Sequence, residues 1–205
     1  MGGMNGEGIF TLCDYFGDNI RWHTQNIDTD PWEWRSRILS EHNDIVYSKL
    51  FFKKCGYITM EWYPYLYVIR RGEKTFQDEY KNGNLSYVEK KIYNYLTDNE
   101  GAPLHIIKQN CVYSSEDSYR FQNAIINLQM KMYITTSGQA RKTTKCGNEY
   151  GWHSMSYCTV DSLFRDLKEK TVGLKMKDAY AAVENHVYSI NPLANPVKVK
   201  KFILG

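Results

Sequence analysis

The stretch from Ser86 to Val160 constrains the fold more than any other part of the chain. It contains three apolar stripes of helical period, followed by two β-prone runs separated by polar and basic residues. Ser86 and Glu89 stand at capping-box spacing and open a helix that sets Val88, Ile92, Tyr95 and Leu96 on one face. "DNEGAP" breaks it. "PLHIIKQN" reads as a short helix burying Leu104 and Ile107. A polar link, "VYSSED", then leads to a third helix from about Asp117 to Lys131, whose Phe121, Ala124, Ile125 and Leu128 share a stripe. "MYITT" and "WHSMSYCTV" follow as short strands. Three short helices and then a two-stranded hairpin is the order of a winged helix-turn-helix domain. Residues 85–160 are assigned to one.

Between the two strands, from Ser137 to Asn148, lie Arg141, Lys142 and Lys145 and no acid. Three cations without a counter-charge suit a wing that meets phosphates or a minor groove. In a helix-turn-helix unit the second helix of the pair enters the major groove, held there by phosphate contacts. Opposite its buried stripe, that helix presents Arg120, Asn123 and Asn127 about one turn apart. Arg pairs with guanine O6 and N7, and Asn with adenine N6 and N7. These six residues form the candidate DNA-binding set, with double-stranded DNA as the expected partner. The alternative for Arg120, Asn123 and Asn127 is a solvated helix face, or one that serves a protein partner.

Composition narrows the class. At 205 residues the chain fits one larger domain or two small ones, and 42% hydrophobic with 24% charged residues describes a soluble globular protein. The net charge of +3 does not by itself mark a nucleic-acid binder, so the distribution of charge matters more than its sum. Five scattered cysteines without a CxxC pair read as reduced thiols in a cytoplasmic protein. No apolar run is long enough to span a membrane, so no membrane partner is expected. Residues 1–20 read as a flexible segment. Cys146, His153 and Cys158 lack the fourth ligand and the spacing of a structural zinc site, and no Gly-rich phosphate loop is present. No metal or cofactor is expected.

Residues 21–84 form an aromatic-rich N-terminal part. In "TDPWEWRSRILSE", Asp30 caps a helix, Pro31 opens it and Glu33 completes a capping box. "IVYSKLFFKKCGYITM" predicts one or two strands around Gly56, and "EWYPYLYVIRRG" a helix. "KNGN" is a turn and the expected boundary with the module that follows. Trp22, Trp32, Trp34 and Trp62 cluster with Tyr57, Tyr63, Tyr65 and Tyr67. Such a group builds either core and interface or a pocket for a flat ligand such as a flipped base. Arg70 and Arg71 either engage phosphate or balance the acids of "FQDEY". In residues 161–205, "DSLFRDLKEK" and "KDAYAAVENHVY" predict two helices, and "PVKVKKFIL" an edge strand guarded by lysines. The expected fold is α+β and mostly helical, a winged helix-turn-helix module with an additional N-terminal helix and strand part.

"DPWEWRSRIL", "FFKKCGYITMEWYPYLYVIRRG" and "FQNAIINLQMKMYITTSG…YGW" together resemble the proteins related to the AlkZ-type alkylpurine DNA glycosylases, from about Trp22 to Phe164. The resemblance implies linked winged-helix units that hold DNA. It also implies base excision by a Gln-hydrophobic-Gln or Gln-hydrophobic-Asp motif, in which the acid or amide positions water at the anomeric carbon. The nearest segment here is Asn26-Ile27-Asp28, with Asn where the family has Gln. Asp28 is then either the carboxylate of that motif or a turn residue ahead of Asp30. Gln129-Met130-Lys131 has a cation at its third position. The resemblance implies a DNA-binding fold and leaves the catalytic residues unassigned.

Overall fold

The computed structural model describes residues 17–112, 114–144 and 146–205, so most of the expected flexible segment 1–20 lies outside the described residues. The chain is α+β. After a single 3-10 turn at Gly17–Asn19 comes α1 (Pro31–Glu41). The hairpin β1 (Ile45–Phe51) and β2 (Lys54–Thr59) follows, then α2 (Tyr63–Arg70) and α3 (Phe76–Lys81). The middle of the chain runs α4 (Tyr87–Asp98), β3 (Ala102–Pro103), α5 (Leu104–Cys111), α6 (Ser115–Met130), β4 (Ile134–Thr143) and β5 (Glu149–Thr159). It closes with α7 (Val160–Leu163), α8 (Leu167–Lys170), α9 (Met176–Ile190) and α10 (Pro196–Leu204).

Two apolar cores organise these elements. The first gathers Leu50, Tyr63, Leu66, Val183 and Ile203: α2 packs against α9 and α10, and Phe51 of the N-terminal hairpin stacks on Phe202 of α10. The second gathers Phe76, Ile92, Leu96, Ile107, Phe121, Leu128 and Tyr157. Each fully buried side chain of this size contributes about 1.5–3 kcal/mol relative to exposure.

Several elements form as their local sequence dictates. The Ser86 hydroxyl accepts the Glu89 N–H while the Glu89 carboxylate accepts the Ser86 N–H, a complete capping box for α4. The α6 stripe of Phe121, Ala124, Ile125 and Leu128 is buried throughout. The helix ends in a Schellman motif, with Tyr133 N–H bonded to Leu128 O and Met132 N–H to Gln129 O. Met132 holds φ 59 at the position that usually takes glycine, because its fully buried side chain fills the first core.

Both hairpins lie differently along the chain from what the sequence pattern predicts. The N-terminal hairpin turns at Phe52-Lys53, while Gly56 lies inside β2 opposite Ser48. There a Cβ would stand 3.3 Å from the Phe51 ring. The second hairpin is longer than read: β4 runs on through Thr143 and β5 begins at Glu149. Arg141 and Lys142 therefore ride a strand arm rather than a loop. Alanine 102 and Pro103 pair with Tyr157 and Ser156, giving a three-stranded sheet of order β3-β5-β4.

The C-terminal edge strand is overturned. "PVKVKKFIL" is helix α10, capped by the Asn195 side chain, which accepts the N–H groups of Val197 and Lys198, with Pro196 in the first turn. Val199 and Ile203, four apart, bury one face in the first core. The alternation of Val and Lys that suggested a strand yields to this cap and this burial. "DSLFRDLKEK" likewise forms two short helices, α7 and α8, rather than one.

Candidate nucleic-acid interface

The buried stripe of α6 dictates which side chains it shows. With Phe121, Ala124, Ile125 and Leu128 inside, Arg120 is exposed and Asn123 and Asn127 are half-buried on one side of the helix. Tyr119, 77% exposed, lies near the start of the same surface. These three polar residues share a face, as their spacing predicts.

The helix is held in place from its inner edge. Gln129 is buried; its side-chain carbonyl accepts the Ser48 hydroxyl at 3.1 Å and the Lys49 N–H at 3.0 Å, and its amide donates to Ile125 O at 3.0 Å. This polar pin fixes α6 against β1. The sequence carried a signal for it, since Gln129 stands four residues after Ile125 on the buried stripe, where only a satisfied polar group is tolerated. A second tie runs from the Thr136 hydroxyl on β4 to the carbonyl of Tyr47 on β1.

On the β4–β5 arms, Arg141 and Lys142 are exposed, and Lys145 lies outside the described residues. The ladder is irregular between Ala140 and Lys142, and there the Arg141 Nε donates to His153 Nε2 at 3.1 Å. Arg141 thus has its guanidinium braced across the hairpin while the residue stays exposed. Cys158, by contrast, sits buried on β5, and burial pushes its thiol up to about 11.

The N-terminal candidates separate. Asp28 is 79% exposed, 3.6 Å from Arg37, and its N–H donates to the Asn26 side chain at 2.9 Å. It is a turn residue in solvent. The buried carboxylate of this loop belongs to Asp30, which accepts the N–H groups of Thr24 at 2.8 Å and Gln25 at 3.2 Å. Of the aromatic group, Tyr63 and Tyr67 lie in the first core and Trp34 is buried with its indole N–H on Ile27 O. Trp62 stacks on His186 at 4.1 Å, and Trp22 is exposed. The Trp32 side chain lies outside the described residues.

Both readings of Arg70 and Arg71 are overturned. Arg70 donates to the carbonyls of Leu50, Met130, Phe202 and Ile203, and Arg71 donates to Met132 O and to the Asp161 carboxylate. Neither guanidinium turns to the acids of α3. Their partners come from segments distant in sequence, which no local pattern announces.

A family model described as "AlkZ related" matches residues 1–204. No curated protein and no solved structure matches the chain. No helix of the described residues is long and apolar enough to cross a membrane.

Proposed function

Because the chain belongs to the AlkZ-related family, we propose that it is a DNA-binding protein related to the alkylpurine DNA glycosylases. In this reading residues 85–160 act as a winged helix on double-stranded DNA. What supports it is the succession of α4, β3, α5, α6 and the β4–β5 hairpin, with Arg120, Asn123 and Asn127 on one side of α6 and the exposed Arg141 and Lys142 on the hairpin. Helix α6 enters the major groove and the hairpin grips phosphate. Asp28 receives no catalytic role here. A carboxylate that acts at an anomeric carbon works in a water-excluded site, and Asp28 stands in solvent beside Arg37. Free Cys55, Cys111, Cys146 and Cys158 fit a reducing, cytoplasmic setting.

The experiment is a salt titration of binding to a fluorescent duplex. Replacing Arg141, Lys142 and Lys145 together by Ala should weaken binding on every sequence and flatten the log–log salt slope by about one unit per lost phosphate contact. Asn123→Ala or Asn127→Ala should cost about 1–3 kcal/mol on preferred sites alone. A wild-type protein that ignores duplex DNA at low salt rejects the reading. Binding indifferent to the hairpin substitutions rejects the winged-helix assignment.

A further inference from the structure

Two segments from opposite ends of the described chain build a cation-rich surface that the winged-helix reading does not use. The β1–β2 turn supplies Lys53 and Lys54, and α10 supplies Lys198 and Lys201, all exposed. Neither the hairpin Ile45–Thr59 nor helix Pro196–Leu204 contains an acid. Among the described residues, Lys53, Lys198 and Lys201 form no ion pair. The rings of Phe51 and Phe202 join the segments, stacked at 4.3 Å and 9°. Phe52 leans on the same Phe202 ring at 6.3 Å. Lys198 stands one helical turn before Phe202 and so shares its face.

Arg70 connects this surface to α6. Its guanidinium donates to Leu50 O at 2.7 Å, Met130 O at 3.2 Å, Phe202 O at 2.7 Å and Ile203 O at 2.9 Å. The ends of β1, α6 and α10 therefore converge on one side chain. The segments that carry the lysines thus meet the C-terminal end of the helix that carries Arg120, Asn123 and Asn127.

The turn itself is unusual. Phe52 and Lys53 hold φ 52 and 62, a two-residue geometry that favours Asn-Gly. Phe52 nevertheless stays 42% exposed, so burial does not explain its presence there. The tip thus holds two non-glycine residues in the left-handed region with an aromatic ring left in solvent.

We propose that Lys53, Lys198 and Lys201 form a second phosphate-binding surface, which extends the DNA footprint past the C-terminal end of α6 and places Phe52 against sugar or base. This rests on the reading that α6 faces DNA. A lipid surface suits the geometry less well, because α10 spends Val199 and Ile203 on the core, and its exposed Val197 and Leu204 stand at opposite ends of the helix, too few for the apolar face a bilayer needs.

The test compares three variants of the full chain in salt titrations on one duplex: Lys53→Ala/Lys198→Ala/Lys201→Ala, Arg141→Ala/Lys142→Ala/Lys145→Ala, and Phe52→Asn/Lys53→Gly. The first should keep the wild-type melting temperature, bind more weakly and lose about one unit of log–log slope per lost phosphate contact. The third should melt higher yet bind more weakly, which separates contact from folding. Wild-type affinity and slope in the first variant, beside lost binding in the second, overturns the second surface and leaves the winged helix standing. The reverse keeps the surface and removes the wing. Absent duplex binding by the wild type overturns both. Binding to vesicles of phosphatidylserine and phosphatidylcholine that needs the three lysines, with duplex binding unchanged by their loss, assigns the surface to lipid instead.

Discussion

The Arg71 guanidinium donates to the Asp161 carboxylate at 2.5 Å while lying over the rings of Tyr67, at 5.3 Å, and Tyr133, at 4.6 Å. Tyr67 belongs to the first core and Tyr133 to the second, so this cation sits where the two cores meet. Its side chain is 4% exposed, and that of Asp161 32%.

Asp161→Ala should therefore cost more than a surface pair would. Removing one partner of a buried pair typically costs 3–5 kcal/mol, and the partial exposure of Asp161 places the expectation at about 2–3 kcal/mol. The double variant Arg71→Met/Asp161→Ala should recover part of that loss, because no charge is left buried and unpaired. Urea midpoints at constant slope measure both. A double variant less stable than the single one would contradict this account of the pair.

Gln129→Leu keeps roughly the same volume but strips the Lys49 N–H and the Ser48 hydroxyl of their acceptor. Each buried group left unsatisfied costs about 1–3 kcal/mol. Thermal unfolding should drop accordingly, and the Lys49 amide should exchange with solvent faster than its neighbours on β1. Unchanged exchange at Lys49 would mean that Gln129 does not pin β1.

Alkaline pH should destabilise the fold. Burial pushes the Cys158 thiol from 9.0 up to about 11, and burial likewise raises the Tyr133 hydroxyl from 10.0 to about 12. Above pH 9 the unfolded chain releases protons that the folded chain keeps. The unfolded state then binds fewer protons, and stability falls as pH rises from about 9 to 12. Below pH 9 both states are protonated at these groups and neither contributes to the slope. Each group can add at most about 1.4 kcal/mol per pH unit within its window. Denaturation midpoints at pH 8, 9, 10 and 11 should decline in the wild type and decline less in Cys158→Ala. Parallel profiles would remove Cys158 from the explanation.

Elements whose stability is local were legible in the chain. The Ser86–Glu89 box, the Phe121–Leu128 stripe and the turn at "KNGN" rest on contacts within a few residues, and the structure forms all three where the pattern places them. The sidedness of α6 was legible for the same reason: burying one stripe leaves Arg120, Asn123 and Asn127 on the other side. Tertiary packing decided the rest. "PVKVKKFIL" alternates like a strand, yet it is a helix because Asn195 caps it and the first core takes Val199 and Ile203. Arg70 and Arg71 look like a phosphate-ready pair, yet Arg70 is claimed by four backbone carbonyls and Arg71 by a carbonyl and the Asp161 carboxylate, all from segments tens of residues away. The β1–β2 hairpin and α10, far apart in sequence, come together only where Phe51 meets Phe202. A window of sequence registers the preference of its own backbone, worth fractions of a kcal/mol per residue. Desolvating a guanidinium or filling a core involves several kcal/mol, and the partners that settle it arrive only when the chain closes on itself.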